Sequence, residues 1–145
     1  MLLARAYPRT GTPCSGWQIG SRHYRVTFSD ALEAHEASLD AFGGLPGISN
    51  IDNIHGALGR PYHGYHRMIW AKGAALLHGI ASSHGFNDGN KRTSWLLTEV
   101  LFERSGYVLS LRDDDRLDDI VVDVVNAVMT QDDLQKWLRD RTTRA

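Results

Sequence analysis

The stretch Asn90 to Arg104, NKRTSWLLTEVLFER, constrains the fold of this chain more than any other. On a helix, its Trp95, Leu96, Leu97, Val100, Leu101 and Phe102 cover more than one narrow stripe, so neighbours must enclose it on several sides. It is predicted to be the most buried element of a mainly α-helical fold. Five other segments read as helix. Leu32, His35, Leu39 and Phe42 share a face after an N-cap at Thr27 or Ser29, and GGLPG at Gly43 to Gly47 stops that helix. Ile51, Ile54 and Leu58 mark a short helix over Asn50 to Leu58. A longer one, roughly Tyr65 to Ser83, aligns Ile69, Gly73, Leu76, Leu77 and Ile80, with Gly73 and Gly79 admitting a close neighbour. The valine-rich stretch Arg116 to Met129 reads as helix, because Val121, Val124, Val125 and Val128 fall on one face and Asp119, Asp123 and Asn126 on the other. Thr130 and Asp133 form a capping pair for a last helix, Asp132 to about Arg139, and RDRTTRA is expected to fray after it. Extended pieces are expected at Tyr24 to Phe28 and within Ser105 to Leu111.

Residues 1–23, rich in Gly, Pro, Thr and Arg, show no period and read as an irregular arm before a single domain over 24–145. With 145 residues, 42% of them hydrophobic, the chain has the core of one ordinary domain and no room for a two-domain enzyme. Its net charge of -1 supplies no basic field for nucleic acid or an anionic membrane. Cys14, the only cysteine, excludes an internal disulfide framework and fits a reducing cytoplasm. Neither a membrane span nor a targeting segment is read from the sequence.

The chemistry concentrates in His84 to Ser94, HGFNDGNKRTS, at the start of the apolar helix. Backbone N–H groups and the positive dipole end of a helix N-terminus suit phosphate oxygens, and Lys91 and Arg92 add charge there. Asp88 is a hard-cation ligand, and His84 has the proton affinity to take a proton from a hydroxyl. This set reads as phosphoryl or nucleotidyl transfer. A plainer reading stays open: a glycine-rich turn capped by Asn87 or Asp88, anchored by Phe86, with both cations facing water.

His84, Phe86, Asp88, Gly89, Asn90 and Arg92 stand in the order of the signature of the Fic/Doc family, which this segment resembles. Lys91 replaces a glycine usual in AMP-transferring members and Trp95 replaces their second arginine, so the loop looks like that of the Doc, or death-on-curing, branch. The likeness extends less specifically over most of the chain after Tyr24. It implies a compact helical fold with the signature loop between central helices, and a toxin acting in the cytoplasm that transfers the γ-phosphate of ATP to a Ser or Thr hydroxyl of elongation factor Tu. A cognate antitoxin is the implied partner, with no direct contact to nucleic acid or membrane. In that reading His84 is the base, Asp88 holds Mg²⁺, and Gly89, Asn90, Lys91 and Arg92 cradle phosphate. Phe86 supports the loop. Fic-type AMP transfer and a catalytically inactive interaction module are the alternatives. Tyr62, His63 and Tyr65, in RPYHGYH, either dock a target segment or decorate a turn. His78 reads as making a local or core hydrogen bond, and His23, His35 and His55 have no liganding companion at persuasive spacing.

Overall fold

The computed structural model describes residues 23–145, so the arm expected over 1–23 lies, but for His23, outside the described residues. In chain order the elements are α1 (Phe28–Phe42), α2 (Ile51–Gly59), a 3₁₀ turn (Arg60–Tyr62), α3 (Ile69–Ser82), α4 (Asn90–Arg104), β1 (Tyr107–Leu109), α5 (Leu117–Val125), α6 (Gln131–Asp140) and β2 (Thr142–Arg144). The fold is mainly α-helical and built around α4. That helix buries Thr93 to Thr98 and Val100 to Phe102, which takes in every apolar side chain named for it above. Such all-round burial requires packing partners on several sides, and α1, α3, α5 and β1 supply them. The most extensive contact is with α3, where a methyl group on Gly73 would run into the Phe102 ring; the glycine lets the two backbones approach.

Several expectations shift in register. Thr27 caps α1 in a reciprocal box with Asp30, each side chain accepting from the other residue's backbone N–H at 3.1 and 3.0 Å. The buried face of α1 then carries Asp30, Ala31, Ala34, His35 and Ser38, while Leu32 and Phe42 are exposed. The small side chains on this face let the helix lie close against α4. α3 begins at Ile69 rather than Tyr65, because Tyr65 is taken up in a ring stack with His63 and His66 and the chain turns at Gly64. α5 stops at Val125, and Ala127 adopts φ +60 immediately after it. Among the described residues no helix is long and apolar enough to cross a membrane.

The C-terminal end does not fray. Thr142–Arg144 pairs antiparallel with Tyr107–Leu109, with Val108 opposite Thr143. Arg141, just before this strand, is buried and forms a fork with Asp115, Nε and Nη2 each donating at 2.6 Å to a separate carboxylate oxygen. These hydrogen bonds from Arg141, helped by the N–H of Arg112, hold the Asp115 carboxyl below the usual carboxylate range. A lowered folded-state pKa means that the pair contributes fully above the unfolded value, about 4, and is lost as pH falls through the folded one. Asp115→Asn is therefore expected to lower the melting temperature by about 5 °C at pH 7. Melting curves taken from pH 7 to pH 3 should show the gap between variant and wild type closing toward the acid end; a constant gap would refute this account.

Candidate active site

The loop between α3 and α4 is held by backbone from a distant part of the chain. The carbonyl of Gly85 accepts from the N–H groups of Ser49 and Asn50 at 2.8 and 3.0 Å. Asn87 N–H donates to Gly47 O at 3.0 Å, and Ile48 and Phe86 form an antiparallel bridge. The Asn87 side chain adds a bond to Pro46 O at 2.9 Å. Phe86 points inward, 2% exposed, with the ring of His35 stacked on it at 3.9 Å between centroids. Asn90 secures the Phe86 backbone from both sides: its Oδ1 accepts from Phe86 N–H and its Nδ2 donates to Phe86 O, each at 3.0 Å. This is the turn-ordering function that an asparagine amide, donor and acceptor together, can perform.

His84 is exposed at the start of the loop with φ +53, an uncommon backbone state for a side-chain-bearing residue. Ser83 helps impose it, its hydroxyl donating to Ile80 O at 2.9 Å and accepting from Gly85 N–H at 3.1 Å. At the other end Gly89, φ +78, is the N-cap of α4 and offers no side chain to the free amides of the first turn. Neither Asn87 nor Asp88 caps the helix through its side chain. Instead the exposed Asp88 carboxylate accepts from Leu45 N–H at 3.2 Å through Oδ2 and from Gly89 N–H at 2.8 Å through Oδ1. Those two bonds, the first foremost, hold its carboxyl below the ordinary range, with Arg92 and His35 assisting.

Lys91 and Arg92 are exposed beside the uncapped amides, and the Arg92 guanidinium lies 4.6 Å above the ring of Phe42. A groove of about 500 Å³ opens here. The Asp88 to Arg92 turn forms its polar wall, Trp95 and Leu96 its floor, and Leu117, Val121 and Val122 of α5 its far side. Positive charge, unpaired backbone donors and an apolar floor fit a ligand with phosphates at one end and a flat ring at the other. Among the described residues there is no cluster of three or more His, Cys, Asp or Glu able to hold a metal ion unaided. Two exposed carboxylates line the groove, Asp88 on the turn and Asp118 on α5. Asp88, beside the phosphate-facing amides, fits a hard divalent cation that arrives with a nucleotide, since such ions take one or two protein carboxylates and fill their shell with phosphate and water.

Of the residues named from sequence, Asp88 to Arg92 come together on the groove, while Phe86 lies beneath them and His84 stands outside the lining at the opposite end of the loop. Of Tyr62, His63 and Tyr65 in RPYHGYH, one side chain is tied into the fold and two are exposed. Tyr62 is an internal strut: its hydroxyl accepts from Val26 N–H at 2.7 Å and donates to Tyr24 O at 2.8 Å, and burial pushes its pKa up to about 12. Its hydroxyl thus both accepts and donates within the fold. His63 and Tyr65 are exposed and stacked on each other, and the chain running beside the signature loop is Pro46 to Asn50. Reading by sequence missed that segment, His35 and Phe42. Only the GGLPG punctuation and the histidine on the inner face of α1 hinted at them.

The Fic/DOC family model matches residues 25–102, which include the whole loop, all of α3 and all but the last two residues of α4. The chain belongs to the Fic/Doc family. Within that family it falls in the Doc branch: it is 34% identical over 111 residues, 72% of this chain and 82% of the relative, to a protein of Mycolicibacterium smegmatis (strain ATCC 700084 / mc(2)155) named Toxin Doc. It is also 26% identical over 118 residues, 79% of this chain and 92% of the relative, to Protein kinase doc of Escherichia phage P1. The Fic/Doc match ends at Phe102, so β1, α5, α6 and β2 lie beyond it.

Proposed function

We propose that this Fic/Doc domain is the toxin of a toxin–antitoxin pair and transfers the γ-phosphate of ATP to a Ser or Thr hydroxyl of a protein, elongation factor Tu being the expected target. The observation that carries the reading is the uncapped N-terminus of α4, flanked by Asp88, Lys91 and Arg92, on a groove of nucleotide size one short loop from His84. The amides of Asn90 to Arg92 and the two cations stabilise phosphate charge, and the apolar floor receives the ring system. Asp88 is the ligand this chain offers to Mg²⁺, which supplies neutralisation of phosphate charge. His84 takes the proton of the target hydroxyl as its oxygen bonds to the γ-phosphorus and the bond to the β,γ-bridging oxygen breaks, with ADP leaving. Exposure of His84 suits a base that must meet a macromolecule.

Lys91 supports phosphoryl over adenylyl transfer. A glycine there leaves room for phosphates deep against the backbone, whereas lysine narrows that space and extends a mobile charge outward. The name of the phage P1 relative points the same way. The apolar walls at Phe42, Leu117, Val121 and Val122 suit an antitoxin segment that blocks the groove, and a target on the translation machinery places the action in the cytoplasm.

Incubating antitoxin-free protein with elongation factor Tu, ATP and magnesium is expected to add about 80 Da per phosphate to the target. Intact-mass spectrometry reads the result. A gain of about 329 Da would replace the kinase by an AMP transferase, and no gain with folded protein would leave the inactive interaction module.

A further inference from the structure

His35, on α1, lies directly beneath the phosphate-facing turn. Its Nε2 is 2.8 Å from the main-chain carbonyl oxygen of Asp88, which can only accept, so the imidazole carries its proton on that nitrogen. The N–H of the same peptide unit, that of Gly89, donates to the Asp88 carboxylate at 2.8 Å. The Asp88–Gly89 peptide is thereby held at both ends, its carbonyl by His35 from below and its amide by the carboxylate from above. Control of this plane matters because Gly89, at φ +78, has no side chain to prevent the peptide from turning over. A Cβ on Gly89 would meet Ser38 Oγ at 3.4 Å and the His35 ring at 3.6 Å, ordinary contact distances, so the left-handed φ rather than lack of space is what favours glycine here. His35 is itself buried and kept in place by its stack on Phe86.

We propose that His35 is a positioning residue: by holding the Asp88 carbonyl it fixes the Asp88–Gly89 peptide plane, and so the direction in which the Asp88 carboxylate and the first amides of α4 face a phosphate group. The inference rests on the reading of this groove as a nucleotide-phosphate site. It separates two properties of one side chain, a flat ring that packs on Phe86 and an N–H that restrains the loop. His35→Phe keeps the first and removes the second. His35→Gln gives up the ring and retains an N–H donor of similar reach.

The test uses the full chain and Mg·ATP as the probe, with affinity measured by calorimetry, stability by thermal melting, and hydrogen exchange followed at Gly89 to Arg92. His35→Phe is expected to weaken Mg·ATP roughly tenfold and to speed exchange at those amides, with His35→Gln restoring both toward wild type even though it melts lower. A packing role alone predicts the reverse order, with His35→Phe like wild type and His35→Gln impaired; that result overturns the proposal. Wild-type protein that fails to bind Mg·ATP would overturn the phosphate-site reading instead. The hydrogen-exchange order of the two variants would then still decide whether His35 restrains the turn.

Discussion

Replacing His84 with asparagine is expected to lower the rate of phosphate transfer by about 10²- to 10⁴-fold while leaving the fold intact, the loss characteristic of a positioned general base. Asparagine is the informative substitution because the backbone at this position is left-handed, φ +53, and Asn tolerates that state better than Ala does. The imidazole is exposed, and among the described residues no hydrogen bond ties it down, so its removal takes no packing with it. His84→Ala should lose the same activity and a few tenths of a kcal/mol of stability besides, through the backbone alone. Initial rates with labelled ATP, beside circular dichroism and melting curves, measure both effects. A His84→Asn rate within threefold of wild type would remove this residue from the chemistry.

Phe86→Ala should have the largest effect on stability. The ring is 2% exposed and stacked with His35, and truncating a buried phenylalanine costs about 3–5 kcal/mol through lost burial and the cavity left behind. Against the 5–15 kcal/mol stability typical of a domain, that is a fall in melting temperature of roughly 10–20 °C. Transfer activity should go with it even in the fraction that folds. Phe86 presents its backbone to Asn90 and its ring to His35, so both supports of the phosphate-facing turn lose their seat. Phe86→Leu, which refills part of the space, should recover more stability than activity, because a branched aliphatic chain cannot offer His35 a flat face. Denaturation midpoints and transfer rates on the two variants check this; a shift under about 3 °C for the alanine variant would mean that the loop does not depend on the ring.

These two residues illustrate how much of the site could be read along the chain. His84 and Phe86 sit in one stretch of eleven residues with Asp88, Gly89, Asn90, Lys91 and Arg92, and a short motif at the start of an apolar helix carries local information about dipole, charge and turn. The supports of that stretch come from elsewhere. His35 reaches Asp88 across 53 positions, and Leu45 reaches the same residue across 43. No period or spacing announces such pairs. Tyr62 shows the converse: beside two histidines in a polar turn it resembles a surface residue, yet Tyr24 and Val26 claim its hydroxyl.

The helices themselves were legible because amphipathic period is a property of neighbouring residues, and α4 announced its burial because apolar side chains all round a helix leave no other solution. The sequence by itself therefore determined a helical chain with one basic, glycine-containing turn at the head of its most buried helix. Tertiary structure decided which face of α1 turned inward, that the C-terminal residues would close a two-stranded ladder after a buried Arg141–Asp115 pair, and which chain segment would lie beside the signature loop. Each of those outcomes depends on small side chains, backbone hydrogen bonds or an ion pair meeting across long separations. Packing selects such contacts only after the helices exist, from many locally equivalent possibilities.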